Sequence, residues 1–271
     1  MKVVAVFSGG GAKAIAHAGA WRAISEAGHH VTHIVATSFG AVIGAMFAAG
    51  ANYDDLIRGT TGLKTSDVAP IDLMGLVKGM FASAILKPEP LRTTIARLVP
   101  AQRFADLRIP LTVTTTDLDS GEQIVFGGAG SGERDAPLQD VLYATCALPL
   151  YYPPAEIDGR RLGDGGIRDV LPLGPASRLP CDAVIAVDVG PGFDEVRPPD
   201  RRTAVPPVIR IHGETVRIMM AAETERAIAA WPKTAPRLIV VRAVAEREAT
   251  FAVDQVERYL EAGYQKTRTA L

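Results

Sequence analysis

Apolar positions in this chain gather into short runs separated by longer stretches with helical spacing. Val3 to Phe7, His33 to Thr37, Leu111 to Thr115, Gln123 to Phe126, Ala183 to Val189, Val208 to Ile211 and Leu238 to Arg242 have strand length and are rich in apolar and β-branched residues, several of them near-continuously apolar, as strands buried on both faces are. Between the first two, Ala12 to Ala27 has helical periodicity and stops at Gly28, a residue suited to a helix C-terminus. Phe39 to Ala49 predicts a helix of small residues ending at Gly50, able to pack tightly on a sheet. A long helix is predicted from Glu214 to Trp231, halted before Pro232, and an amphipathic one from about Val253. This alternation predicts an α/β fold with a mostly parallel sheet.

Between Thr60 and Pro100 the pattern loosens. Ile71 to Phe81 is apolar but broken by glycines, which favours a core helix at the sheet edge over a substrate cover within 60–100. Gly127 to Asp135 reads as a surface loop and Pro198 to Pro207 as a proline- and arginine-rich connection. Neither resembles a domain linker and no repeat is visible, so residues 1–271 are expected to form a single domain. With 271 residues, 48% of them hydrophobic, the chain can bury a full core. Its 29 basic and 30 acidic residues leave a net charge of -1, which provides no field to recruit nucleic acid or anionic membrane. Any lipid contact is therefore expected to be local, apolar, weak and insensitive to salt, from Ile71 to Leu86. The apolar run after Lys2 is too short for a signal sequence or a membrane span. Cys146 and Cys181 lie in apolar contexts without metal spacing, as reduced thiols do. A cytoplasmic location, at most peripheral at membranes, is expected, and no oligomeric state is indicated.

Three segments carry candidate chemistry. Gly9-Gly10-Gly11-Ala12-Lys13 follows the first predicted strand. Gly9, Gly11 and Ala14 fit a dinucleotide fingerprint, but no carboxylate stands at the end of the second strand to hold a ribose; Lys13 also lacks the flanking Gly and Ser/Thr of a phosphate-binding loop. What remains is a turn whose amides meet a helix N-terminus and favour developing negative charge. Ser38, in Ala36-Thr37-Ser38-Phe39-Gly40, is placed either to cap the following helix or to act as a nucleophile on a strand-to-helix elbow. Asp164, in Gly163-Asp164-Gly165-Gly166, is either a tight-turn residue or a base. A Ser-His-Asp triad in hydrolase order would need His212, which closes the predicted strand Val208 to Ile211. His17, His29, His30 and His33 read as packing or surface residues. Asp117 and Asp119 read as a hairpin turn rather than a metal site.

Taken in order, GGGAKA, ATSFGA and DGG resemble the patatin-like phospholipase family, whose motifs are a GGGx(K/R)G turn, a GxSxG elbow and a DG(G/A) aspartate. The likeness extends to Thr116 to Gly121, to Ala144 to Pro149 and to Pro172, and covers most of Met1 to Asp188. The resemblance implies a three-layer fold with helices on both faces of the sheet. It also implies a lipid acyl hydrolase of phospholipase A type acting on phospholipids, lysophospholipids or glycerides; no cofactor or metal is expected. Ser38 and Asp164 would form the catalytic dyad, Gly9, Gly10 and Gly11 the oxyanion donors, and Lys13 the basic position beside them. Ala36, Ala14 and Val170 depart from the family pattern where Gly, Gly and Asn are common. A non-catalytic acyl-ligand module on the same fold is the alternative of a different class.

Overall fold

A computed structural model of the chain describes residues 1–70, 84–128, 134, 136–195, 207–247 and 255–271. Its described strands form one sheet: β1 (Lys2–Phe7), β2 (His30–Thr37), β3 (Leu111–Asp117), β4 (Gln123–Gly127), β5 (Ala155–Ile157), β6 (Arg160–Asp164), β7 (Ala183–Asp188) and β8 (Arg237–Arg242). β1 lies at the centre, parallel to β2 and β7, with β3 and β8 extending the parallel set on either side. β4 and β6 run against β3, and β5 against β6.

The side-chain period of two on β1 builds the layers. Val3, Ala5 and Phe7 enter a core shared with α1 (Ala16–Glu26) and α2 (Ser38–Ala48). Val4 and Val6 enter a second cluster with Leu171, Leu173 and Ala176, against which Ala227, Ile228 and Trp231 pack. The first layer also holds α3 (Tyr53–Thr60), α4 (Thr65–Val68), α5 (Pro88–Leu98) and α6 (Leu138–Cys146); α7 (Leu173–Ala176) and α8 (Pro207–Ala229) cover the other face. The last helix, α9 (Val256–Ala270), crosses α1 backbone to backbone. A Cβ on Gly19 would fall 1.9 Å from the Leu260 carbonyl oxygen, and one on Gly263 2.0 Å from that of Ala16.

Two expectations require correction. Val208 to Ile211 is helical, because α8 starts at Pro207 rather than Glu214. Proline at a first helical position presets φ, whereas strand preference of β-branched residues depends on sheet neighbours, which an exposed Ile211 lacks. The β5–β6 hairpin lies outside the strands that the sequence predicts. Its turn, Asp158-Gly159, has φ of 51° and 71°, as a two-residue hairpin loop demands, but its strands are short and charged. The segment Ile71 to Phe81 lies outside the described residues, as does most of Gly127 to Asp135 and of Pro198 to Pro207.

One feature of β3 positions the site. β4 occupies one edge of β3 along Thr112 to Thr116. The other edge is shared: β2 pairs with Leu111 to Thr114, and β6, arriving from the opposite direction, pairs with Thr115 to Asp117. β2 therefore ends at Thr37 opposite Thr114 and β6 at Asp164 opposite Thr115, so two strand ends meet head to head.

Candidate active site

Ser38 follows β2 directly and has a φ of 54°, a left-handed conformation that costs a non-glycine residue on the order of 1–3 kcal/mol. Its surroundings hold it there. The Ser38 amide donates to Thr145 Oγ1 at 2.8 Å, and that hydroxyl donates in turn to the Thr114 carbonyl at 2.7 Å. A Cβ on Gly40 would sit 2.3 Å from the Ser8 carbonyl oxygen, and one on Gly9 3.1 Å from Ser38 Cβ. Both glycines thus permit the elbow to press against the end of β1. Ala36, by contrast, lies inside β2, paired with Phe7 and Val113, where extended backbone suits alanine. The backbone strain rests on Ser38 and not on Ala36.

The capping alternative for Ser38 does not hold: Thr37 occupies the cap, and the Ser38 hydroxyl donates to Asp164 Oδ2 at 2.8 Å. Both residues are buried, with 7% and 5% of their surface exposed. Asp164 also ends a strand and caps a turn, its Oδ1 accepting from the Gly166 amide at 2.8 Å, while its carbonyl accepts from Thr116 Oγ1 at 3.0 Å. Burial pushes its carboxyl up to about 6, against the smaller opposing effects of the hydrogen bonds from Gly166 and Ser38. A buried carboxylate with an elevated pKa, hydrogen-bonded to a strained hydroxyl, has the arrangement that a nucleophile and its base require.

The glycine turn lies against this pair. The Gly9 amide donates to the Val170 carbonyl at 3.0 Å, so of the three expected oxyanion donors Gly9 is already engaged. The amides of Gly10 and Gly11 take no backbone acceptor among the described residues. They stand at the start of the 3₁₀ turn Gly11–Ile15 that leads into α1, where helix amides lack internal partners. Ser8 anchors the turn: its hydroxyl accepts from the Val189 amide at 2.8 Å, and its carbonyl accepts from His17 Nε2 at 2.9 Å. Burial pushes His17 down to about 4, so the ring is neutral, stacked on Phe7 at 4.6 Å. His33 is buried against Thr112, and its burial also pushes it down to about 4; His30 is exposed.

Lys13 turns toward the loop after β7. Its ammonium donates to Glu195 Oε1 at 3.4 Å and to the Glu246 carbonyl at 3.0 Å, and burial holds its pKa below the usual value despite Glu195. Glu195 in turn accepts from Arg217 on α8 at 3.1 Å. Lys13 therefore ties the glycine turn to α8 through one buried carboxylate. His212 is exposed on α8, and the partner of Ser38 is the Asp164 carboxylate. Asp117 Oδ1 accepts from the amides of Asp119 and Ser120, and Oδ2 from Arg160, the hairpin arrangement the spacing suggested. Cys146 is buried beside Ser38 and Asp164 with its thiol pushed well up by burial, which keeps it protonated. Beyond the Asp164 turn, Asp169, Arg168, Glu122, Gln123 and Glu223 line an open polar cavity of about 450 Å³, in which burial pushes Asp169 up to about 7.

Thr114 and Glu195 have no assigned role in the sequence, and Thr145 enters only within the Ala144 to Pro149 likeness. The visible signal for the threonines is their polarity inside segments otherwise fit for the core; Glu195 gives none.

The sequence profile of the patatin-like phospholipases matches residues 5–177, which include all three candidate segments. The chain belongs to the patatin-like phospholipase family. An uncharacterized NTE family protein of Mycobacterium tuberculosis is 31% identical over 198 residues, 71% of this chain and 52% of that protein. Patatin-like phospholipase domain-containing protein 7 of Rattus norvegicus is 32% identical over 194 residues, 69% of this chain and 14% of that protein. The patatin-like chain thus spans about half the length of its mycobacterial relatives and a small part of the mammalian ones. VipD from Legionella pneumophila shares the fold with a TM-score of 0.52 at 16% identity, covering 99% of this chain and 66% of VipD. The patatin-like architecture, a mostly parallel sheet between helical layers, is thereby established, and membership supports lipid hydrolase activity in general. No helix among the described residues is long and apolar enough to cross a membrane.

Proposed function

We propose that the chain is a serine lipid acyl hydrolase that cleaves carboxylic esters of phospholipids, lysophospholipids or glycerides through a Ser38–Asp164 dyad. The observation that carries this is the 2.8 Å hydrogen bond from Ser38 Oγ to Asp164 Oδ2 at a left-handed elbow. Ser38 Oγ attacks the ester carbonyl carbon as its proton passes to Asp164 Oδ2. The developing oxyanion is received by the Gly10 and Gly11 amides, while Gly9 provides the close approach. Collapse expels the alcohol, which takes the proton from Asp164 and leaves an acyl-enzyme on Ser38. Water then attacks the acyl carbon, giving a proton to Asp164 that returns to Ser38 as the fatty acid departs.

Labelling with a fluorophosphonate and mapping of the modified residue tests the nucleophile. The label is expected on Ser38 and is expected to vanish, with ester turnover, in Ser38→Ala. A folded wild-type chain that takes no label and turns over no ester would instead support the acyl-ligand module.

A base must be unprotonated, so turnover of a neutral soluble ester is expected to rise with pH through about 6, the elevated position of Asp164. Asp169→Asn serves as the control, since Asp169 also lies near neutrality, at about 7. A rise that disappears in this variant would assign the titration to Asp169 and remove the support for Asp164.

A further inference from the structure

Among the described residues eight large apolar side chains are exposed, and two of them, Met1 and Leu271, are chain ends. The other six are Leu150, Ile167, Phe193, Ile211, Ile218 and Met219, and all lie at the catalytic end of the sheet. Ile167 belongs to the turn that follows Asp164. Leu150 precedes Tyr151, whose hydroxyl faces Gly213 of α8, and Phe193 lies in the loop that leaves the C-terminal end of β7.

The geometry of α8 explains why three of them are there. A helix of 23 residues is about 34 Å long, whereas the six-residue strands it connects, β7 and β8, span about 20 Å. α8 runs opposite to both strands, and its C-terminal part packs on the sheet through Ala227 and Ile228. Its N-terminal part therefore projects beyond the sheet. The level is set by Met220, whose Cε lies 3.5 Å from where a Gly166 Cβ would be, next to the turn of Asp164. Along one solvent-facing stripe of the helix, the part above that level carries Ile211 (59% exposed), Ile218 (49%) and Met219 (65%), while the part beside the sheet carries exposed Glu225 and Arg226. On this stripe the large apolar side chains lie above the height of the Asp164 turn, around the exposed Thr215, and the charged ones lie below it.

Charge points to the occupant. Arg168 beside Ile167 and Arg210 beside Ile211 are exposed and form no ion pair among the described residues. Glu214, the carboxylate on this part of α8, is paired with Arg247 at 3.4 Å. Apolar side chains interspersed with guanidiniums that form no ion pair among the described residues, on a stretch of helix whose carboxylate is already engaged, complement a layer of anionic headgroups over acyl chains. We propose that the projecting part of α8, with Ile167 and Leu150, is the surface on which the protein docks to an anionic lipid layer, bringing the mouth of the Ser38 site onto its substrate. This rests on the lipid hydrolase reading for the choice of a lipid layer over a second copy, which would close the mouth. It also differs from the sequence expectation in place, since the docking surface moves from Ile71–Leu86 to α8, and in adding a salt-sensitive component.

The test is co-sedimentation with phosphatidylcholine vesicles, with and without phosphatidylglycerol, using the Ser38→Ala chain so that no lipid is consumed. Ile218→Asp with Met219→Asp is expected to lower partitioning on both vesicles at least about tenfold. Arg168→Gln with Arg210→Gln is expected to remove about fivefold per arginine on the anionic vesicles only. In an active background both pairs are expected to hydrolyse a soluble short-chain ester as the wild type does. Met219→Trp, a mild change at an exposed site, is expected to show a blue-shifted indole emission on vesicle addition. Unchanged partitioning of the aspartate pair, an unshifted emission from the Met219→Trp chain, or a halved mass of the aspartate pair in ultracentrifugation overturns the docking surface, the last in favour of a second copy. A chain that hydrolyses soluble esters but never sediments refutes docking alone; one that sediments but hydrolyses nothing refutes the hydrolase alone.

Discussion

Asp164→Asn is expected to lower ester turnover by roughly 10²- to 10⁴-fold, the range for removal of a positioned base, while His212→Ala leaves it unchanged. The substitution is isosteric and preserves local bonding: asparagine can still accept from the Gly166 amide and can donate to Ser38 Oγ in place of accepting from it. Only the capacity to take a proton is lost. Stability is expected to move the other way. The folded protein holds the Asp164 proton more tightly than the unfolded chain, so the associated stability is present in acid and lost as pH rises through about 6. Above that, the displacement from 3.8 costs on the order of 3 kcal/mol. Asp164→Asn should therefore melt at or above the wild-type temperature at neutral pH and show a flatter dependence of stability on acid. If His212→Ala instead loses as much turnover as Asp164→Asn, the dyad is wrong and a histidine-dependent mechanism replaces it.

Gly10→Ala is expected to lower turnover by about 10²- to 10³-fold, as loss of an oxyanion donor does. The added Cβ would lie 2.7 Å from both the carbonyl oxygen and Cγ2 of Val189. One of these contacts is with backbone, so the turn itself must move. Movement is resisted on both sides, by the Gly9 bond to Val170 and the Ser8 bond to Val189, and the resulting strain is expected to cost on the order of 1–3 kcal/mol of stability. Steady-state turnover and thermal melting of the same preparation separate the two effects. Near-normal turnover in a measurably destabilised variant would place the oxyanion donors elsewhere than Gly10 and Gly11.

Much of this site was legible in the sequence because its parts obey local rules. A glycine turn after a buried strand and a serine between a strand and a small-residue helix each have a short-range signature, and β1, β2 and the α1 unit between them stand where the periodicity put them. Asp164 was legible as a residue but not as a position. It ends a strand of five residues, Arg160–Asp164, whose arginines and glycine carry no strand signal, and only its pairing with Thr115 and Thr116 makes it one. The start of α8 is hidden in the sequence for the reverse reason: an apolar β-branched run reads as a strand when nothing reveals that it projects past the sheet. Gly9 is indistinguishable from Gly10 and Gly11 in the sequence because composition cannot say which amide already has an acceptor.

The head-to-head junction of β2 and β6 on one edge of β3 also bears on how such a protein can diverge. No hydrogen-bonded ladder joins the two strand ends; their spacing is fixed only by the number of residues each has used along β3. Adding or deleting one residue between the Asp158-Gly159 turn and Asp164 would displace the carboxylate by about 3.4 Å and send it to the opposite face of the sheet. Loop length is cheap to alter by comparison. Relatives of this chain are thus free to lengthen their surface connections but not to change the count in β6, and one that retains Asp-Gly-Gly with a residue gained or lost before it is expected to carry the motif without the contact between serine and aspartate.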